Sequence, residues 1–224
     1  MITPVYVVPE IEVTNQASDR LDSMAPRATA VATVCLVFLG CFAAGEVVAN
    51  ESDTRAERGF AIAEQNGFTL DRENPALGLG SYLVNNSGCN DCHTWPNFAQ
   101  GGDPFSRQPK QINAANYLAG GRLFALPTEN VCSRNITPAP GTNKPAGLSR
   151  SDFIHVFRTG CDPQAANFQD AQACELLQVM PWPLYQDMTR QDVGAIYSFL
   201  SAIPHQEPGG AAQCVPDPQG VAGE

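Results

Sequence analysis

The sequence predicts a fold of short helices separated by long loops. Two segments near the C-terminus each carry a helix N-cap followed by an apolar stripe of helical period. Between residues 94 and 144, glycine, proline and asparagine are frequent and apolar runs are few, which is typical of loops and turns. The length of 224 residues, less an N-terminal targeting segment, suits one domain with one core.

The first half of this domain is predicted to contain three helices. Residues 50–72 are charged and mixed, and they predict a linker that leads into a helix over 54–65. A second short helix is predicted over 75–85, and a third over 111–119 within the loop-rich part.

The last two helices carry explicit boundary signals. Ser149 is predicted as an N-cap with a carboxylate three residues later, and Gly160 ends that helix. Thr189 caps the final helix with Asp192 at its third position, and Pro204 ends it. The stripes predicted to face the core contain Phe153, Val156, Phe157, Val193, Ile196, Tyr197 and Leu200.

One motif indicates a specific cofactor. Residues 89–93 read Cys-Asn-Asp-Cys-His, and C-x-x-C-H is the attachment signature of c-type haem. Residues i, i+3 and i+4 share one face of a helical turn, so both thiols can bond the haem vinyl groups while the imidazole reaches the iron. The motif predicts one haem c, bound covalently through Cys89 and Cys92, with His93 as an iron ligand.

Three other uses of this cysteine pair stay open. A thioredoxin-like pair requires a βαβ context, whereas residues 78–84 favour a short helix. A structural zinc site requires four ligands, and no second pair follows at zinc-finger spacing. The third alternative is an ordinary disulfide beside an unrelated histidine.

The second axial position of the iron has four candidate ligands, Met180, Met188, His155 and His205. Met180 stands directly before Pro181 in a proline-stiffened segment, and proline disfavours helix, so this segment is predicted to be an extended strap across a haem face. Packing or surface roles are expected for the other three. Met180 is the predicted sixth ligand, with a core methionine as the alternative.

The N-terminal region, residues 1–49, resembles an export signal. No charge occurs over residues 28–45, which follow Arg27, and residues 47–49 resemble an A-x-A cleavage site, as do residues 43–45. The uncharged stretch is at the lower edge of a membrane span, so a retained anchor is one alternative to cleavage, and lipidation at Cys41 is another. Export predicts a periplasmic or otherwise exported location, with a membrane-anchored form if the segment is retained.

The cysteines outside the motif predict disulfides, because exported chains fold in an oxidising space. Cys132, Cys161, Cys174 and Cys214 are even in number and allow three pairings. We favour Cys161–Cys174, which closes a short loop, and Cys132–Cys214, which holds the Gly/Pro-rich tail of residues 206–224. Four buried thiols are the alternative.

The net charge of −10 argues against a nucleic-acid partner, whose phosphates would repel the chain. A protein partner is expected to present a basic or neutral docking face. Solubility alone is the alternative explanation of this charge.

Taken together, these motifs resemble a class I c-type cytochrome, and more narrowly the exported cytochrome domains that serve membrane-associated dehydrogenases. The likeness covers roughly residues 77–204. It is carried by residues 80–84, 89–93, 120–122, 135–138, 153–160, 180–182 and 188–204.

The resemblance implies an all-α, class I cytochrome c fold over residues 73–205, with long loops wrapped around one haem. In that fold the helix over 75–85 crosses the last helix. Gly80 and Tyr82 are then expected to meet Tyr197 and Leu200 at the crossing.

The resemblance also implies roles for individual side chains. Met180 would be the distal ligand, and Asn135 and Trp182 would lie near the haem. Arg122 or Arg158 would neutralise a haem propionate.

The implied function is one-electron transfer, without an enzymatic reaction of its own. A His/Met-ligated iron has no open position for substrate, and thioether ligation raises the reduction potential. The expected partners are a dehydrogenase or quinol-oxidising complex as donor and a terminal oxidase or other acceptor. The alternatives are a catalytic or sensing haem with a labile sixth ligand, and a fixed cytochrome subunit of a larger oxidoreductase complex. The single motif is a departure, since dehydrogenase-associated relatives often carry several haems.

The first 23 residues are acidic, which is unusual for an export signal. A start at Met24 would put Arg27 directly before the apolar segment, as in an ordinary signal. We therefore predict that the unprocessed precursor begins at Met24. N-terminal sequencing of that precursor tests this, and a precursor that begins at Met1 would contradict it.

Overall fold

The computed structural model of this protein describes residues 51–207. Its helices are α1 (Glu51–Gln65), α2 (Pro75–Asn86), α3 (Cys89–His93), α4 (Arg150–Thr159) and α5 (Arg190–Ala202). Single turns of 3-10 helix cover Pro104–Ser106, Ala114–Asn116 and Trp182–Leu184. The helices predicted around 54–65, 75–85, 149–160 and 189–204 are therefore confirmed.

Helix α2 packs between α1 and α5, and glycines allow the close approach. On the α1 side, a Cβ atom on Gly78 would lie 2.4 Å from the backbone oxygen of Ala56. On the α5 side, a Cβ atom on Gly80 would lie 2.0 Å from the backbone oxygen of Ala195 and 2.6 Å from the Cβ of Phe199. Neither position has room for a side chain, so the two helix contacts depend on glycine.

The predicted crossing of α2 and α5 is confirmed, but the residues closest to Gly80 are not the predicted Tyr197 and Leu200. Gly80 meets Ala195 and Phe199, which are four residues apart and therefore share one face of α5. Tyr197 lies on another face: its ring centroid is 5.4 Å from that of Phe153, and its hydroxyl donates to the backbone oxygen of Leu148 at 3.2 Å. That tyrosine joins α5 to α4.

The boundary signals of α4 and α5 act as predicted. The hydroxyl of Ser149 accepts from the backbone N–H of residue 152, and Gly160 ends α4 in the left-handed conformation with φ of 71°. Thr189 and Asp192 form a reciprocal capping box at the start of α5. The predicted stripes are buried in the core, except that Tyr197 is only partly buried.

Sequence patterns missed a small β-hairpin. Strands β1 (Leu123–Ala125) and β2 (Asn130–Cys132) pair antiparallel, with Leu123 opposite Cys132. Three-residue strands are too short to show an alternating pattern. The helix predicted over 111–119 is reduced to the single 3-10 turn Ala114–Asn116. The described residues are thus helical with one small sheet, and the class I cytochrome c fold stays a prediction.

The disulfide predicted between Cys161 and Cys174 is confirmed, with their Cα atoms 5.5 Å apart. Cys132 is also disulfide-bonded. Its predicted partner, Cys214, lies outside the described residues, as does the predicted export signal. Within residues 51–207, no helix has the length and apolar character needed to cross a membrane.

We predict that Gly80→Ala destabilises the protein by about 1–3 kcal/mol or more, because the new Cβ overlaps the backbone of α5. Gly194→Ala is the matched control: its Cβ would meet only the flexible end of Arg150, and alanine favours helix by about 1 kcal/mol. Denaturant unfolding of both variants measures the difference. Equal stability of the two variants would contradict the tight crossing.

Candidate haem site

The Cys-x-x-Cys-His motif forms the single helical turn α3, which begins after Gly88 in the left-handed conformation. The side chain of Asn90 anchors this turn from the buried side. It donates to the side-chain oxygen of Asn85 at 2.8 Å and accepts from the hydroxyl of Thr94 at 2.8 Å. The turn is therefore fixed against α2, and Cys89, Cys92 and His93 are presented to a cavity on the other side.

The cavity has a volume of about 490 Å³, within the range typical of ligand sites. Met180 lines the same cavity as the two cysteines and His93, although it is 87 residues beyond that histidine in the chain. Further walls come from the hairpin and from apolar side chains of α2, α4 and α5, among them Val84, Phe153, Val156, Phe157, Ile196 and Leu200. The structure thus brings together the four side chains predicted to attach and ligate a haem.

A backbone hydrogen bond fixes the orientation of His93. Its Nδ1 lies 2.7 Å from the backbone oxygen of Arg134, which can only accept, so Nδ1 carries the proton. The proton-free Nε2 is then the nitrogen able to bind a metal. Burial lowers the pKa of His93 and keeps the imidazole neutral, which is the form that ligation requires.

The two motif cysteines are free thiols. Burial raises the pKa of Cys89 to about 12 and also raises the pKa of Cys92. A redox-active thioredoxin-like pair instead has a lowered pKa and belongs to a βαβ unit, whereas this pair follows helix α2, so that alternative does not fit. The ordinary-disulfide alternative does not fit either, because the pair is not bonded.

Met180 lies on a bent segment that is anchored on both sides. Before it, the N–H of Leu177 donates to the backbone oxygen of Gly160 at 2.8 Å. After it, the chain forms the 3-10 turn Trp182–Leu184, and the hydroxyl of Tyr185 donates to the backbone oxygen of Ser87 at 2.8 Å. The predicted extended strap is therefore wrong in shape, because the chain bends at Met180 and turns directly after it.

Three other predicted site residues do not line the cavity. Arg122 donates to the backbone oxygen of Asp91 at 2.7 Å, and its guanidinium lies over the rings of Trp95 and Phe124. Asn135 accepts from both the N–H and the hydroxyl of Thr137. These contacts give both side chains a structural role at the edge of the site.

The third of these residues, Trp182, packs its indole against the α4 end, where a Cβ atom on Gly160 would overlap the ring. Arg158, the alternative propionate partner, donates to the backbone oxygens of Gln186 and Met188. These contacts of Trp182 and Arg158 hold the loop after Met180 against α4.

The other candidate ligands also lie outside the cavity lining. The Nε2 of His155 bonds the backbone oxygen of Phe168 at 2.9 Å, and the Nδ1 of His205 bonds that of Pro138 at 2.7 Å. Met188 packs against the hydrophobic core. Of the four candidates, Met180 alone shares the cavity with His93.

Arg134 and Tyr185 are among the polar residues of the cavity that sequence reasoning missed. Burial raises the pKa of Tyr185 to about 12, so its phenol stays protonated and donates to Ser87. Arg134 forms an ion pair with Asp162. Both roles depend on chain segments that are distant in sequence, and no local pattern marks them.

The donor set of this cavity fits a haem c: two free thiols, an imidazole with a proton-free nitrogen and a thioether surround a largely apolar space. Among residues 51–207, no group of three or more histidine, cysteine, aspartate and glutamate side chains is arranged to hold a metal ion.

No protein-family model matches the chain. The chain is similar to the fructose dehydrogenase cytochrome subunit of Gluconobacter japonicus, with 27% identity over 126 residues. The match covers 56% of this chain and 21% of that protein, so the chain spans about a fifth of its relative's length. This distant likeness supports a cytochrome c-like domain.

We predict that the double variant Cys89→Ser, Cys92→Ser loses covalently bound haem, because both thioether bonds require these sulfurs. The control is Cys161→Ser, Cys174→Ser, which removes two sulfurs elsewhere. It should keep covalent haem and lose roughly 3 kcal/mol of stability from the opened loop. The readout is the amount of haem that stays with the protein after denaturation and extraction with acidified organic solvent. Resistant haem in the first variant would contradict the site.

Proposed function

We propose that this chain is an exported monohaem c-type cytochrome with the class I fold, acting as a one-electron carrier. One observation carries the proposal: Cys89, Cys92, His93 and Met180 line a single, largely apolar cavity. Two thiols, an imidazole and a thioether are the groups that attach and ligate one haem c.

The roles of the four side chains follow from their chemistry. Cys89 and Cys92 would hold the haem through thioether bonds, and His93 and Met180 would be its axial ligands. The bound haem would supply a site that gains and loses one electron. The protein orients the imidazole through Arg134 and lines the cavity with apolar side chains that exclude water. Thioether ligation by Met180 would favour the reduced state.

Electron transfer is favoured over catalysis. With both axial positions filled by His93 and Met180, substrate would find no open coordination site. The similarity to a cytochrome subunit supports the same choice. A catalytic or sensing haem would require Met180 to dissociate, whereas its segment is anchored before and after the methionine.

We propose a dehydrogenase or quinol-oxidising complex as electron donor and a terminal oxidase or other acceptor as the next partner. The similar protein is a subunit of a dehydrogenase, which favours a dehydrogenase donor. The same observation favours a second candidate function, a fixed cytochrome subunit of such a complex. A mobile carrier would dock weakly through a small patch, whereas a fixed subunit would copurify with its enzyme.

An exported, periplasmic location is part of the proposal. The Cys161–Cys174 disulfide is typical of an oxidising compartment. The charge-free segment at residues 28–45 is typical of an export signal, or of an anchor if it is retained.

We predict that Met180→Ala abolishes the weak far-red methionine–iron absorption band, lowers the reduction potential and allows the ferrous protein to bind carbon monoxide. The potential change should fall within the roughly 0.8 V range that axial ligands set. Met188→Ala is the matched control, because Met188 also packs against the core but lies outside the cavity lining. Optical spectra and a redox titration of both variants measure these effects.

A wild-type protein with a high-spin spectrum or rapid carbon monoxide binding would contradict His/Met ligation. The catalytic or gas-sensing function would then replace electron transfer. Loss of the far-red band in Met188→Ala, but not in Met180→Ala, would reassign the ligand.

A further inference from the structure

Arg134 connects the two sides of the cavity. Its backbone oxygen accepts the hydrogen bond from His93 Nδ1 at 2.7 Å. Its Nη2 donates to both carboxylate oxygens of Asp162, at 2.7 Å and 2.8 Å. One residue therefore holds the proximal imidazole through its backbone and reaches a different loop through its side chain.

Asp162 belongs to the part of the chain that leads to Met180. Its N–H donates to the backbone oxygen of Glu175 at 2.7 Å. Its neighbour Cys161 is joined to Cys174 by the disulfide and forms a β-bridge with Leu176. Residues 161–162 and 174–177 thus form one tied unit, and the chain runs from this unit directly to the methionine.

The ion pair is partly shielded from water. The side chains of Arg134 and Asp162 are 31% and 26% exposed, and both residues line the cavity. Gln164 supports the pair, since its N–H donates to the Asp162 carboxylate at 2.7 Å and its side-chain oxygen accepts from Arg134 at 3.2 Å. Charge-assisted hydrogen bonds in such surroundings are stronger than those of a fully exposed pair.

We propose that the Arg134–Asp162 pair is a latch that positions the axial ligands relative to each other. This inference rests on the proposed function, in which His93 and Met180 bind one iron. The latch fixes the Met180 segment to the loop that orients His93. Arg134 and Asp162 are positioning residues, because they act on the iron only through its two ligands.

The latch holds one end of the Met180 segment, and a separate contact holds the other. Tyr185 bonds the backbone oxygen of Ser87 on the far side of the methionine. When the latch is removed, Tyr185 and the helical core still hold the fold together. Loss of the latch should therefore make Met180 dissociate from iron more easily while the protein remains folded.

The test is the rate at which carbon monoxide binds to the ferrous haem-containing protein, since carbon monoxide can bind only where the methionine has left. In Asp162→Asn the carboxylate is replaced by an amide of the same shape. We expect a binding rate about tenfold higher than in wild type. Loss of a hydrogen bond to a charged group shifts the equilibrium for dissociation of Met180 from iron by about that factor. The far-red methionine–iron band should disappear at a lower temperature than the helical circular dichroism signal.

Glu175→Gln is the matched control. It removes one negative charge from the same cavity wall, but it keeps the backbone oxygen through which Glu175 contacts Asp162. Its carbon monoxide rate should equal that of wild type. Equal rates in Asp162→Asn and Glu175→Gln would overturn the latch.

A second variant keeps the test valid if Asp162→Asn does not fold. Arg134→Met keeps the backbone oxygen that holds His93 and a side chain of similar length, but it cannot donate to Asp162 as the Nη2 of Arg134 does. The latch requires a faster carbon monoxide rate in this variant as well, and an unchanged rate would overturn it. Fast binding in wild type itself would contradict both the axial pair and the latch, which separates failure of the proposed function from failure of the latch alone.

Discussion

The hydrogen bond from His93 Nδ1 to the backbone oxygen of Arg134 is the interaction on which the site depends. It assigns the proton of the imidazole to one nitrogen and leaves the other available to a metal. The loop that provides this oxygen is itself held by the bonds from Gly121 to Ser133 and from Ile136 to Leu118. A single-turn helix such as α3 could not hold a buried imidazole in a fixed orientation without an acceptor from another part of the chain.

The helical core provides the frame for this loop. Glycines in α2 let α1 and α5 pack directly against it, and Phe60, Val84 and Phe199 of these three helices are almost fully buried. Because α3 follows α2 after only two residues and is tied to it through Asn90, the position of α2 also sets the position of the two cysteines. Close helix packing therefore also determines the position of the proposed haem-attachment site.

The side of the cavity that carries Met180 is built differently, from irregular chain held by covalent and polar links. The disulfide, the Asp162 contacts and the Tyr185 hydroxyl together fix a segment that has no regular secondary structure around Met180. Such a segment lacks the repeating backbone bonds of a helix, so its side-chain and disulfide contacts determine its conformation. This explains why the expectation of an extended strap, which considered proline alone, missed the bend.

The sequence by itself determined the features that depend only on a few neighbouring residues. These are the attachment motif at residues 89–93, the caps at Ser149 and Thr189, and the short disulfide loop from Cys161 to Cys174. Only the tertiary structure decided which side chains share the cavity. Arg134 and Tyr185 enter it, whereas Arg122, Asn135 and Trp182 are engaged elsewhere. The physical reason is that a cap or a motif is completed within one or two turns of chain, whereas a cavity wall depends on how segments tens of residues apart pack together.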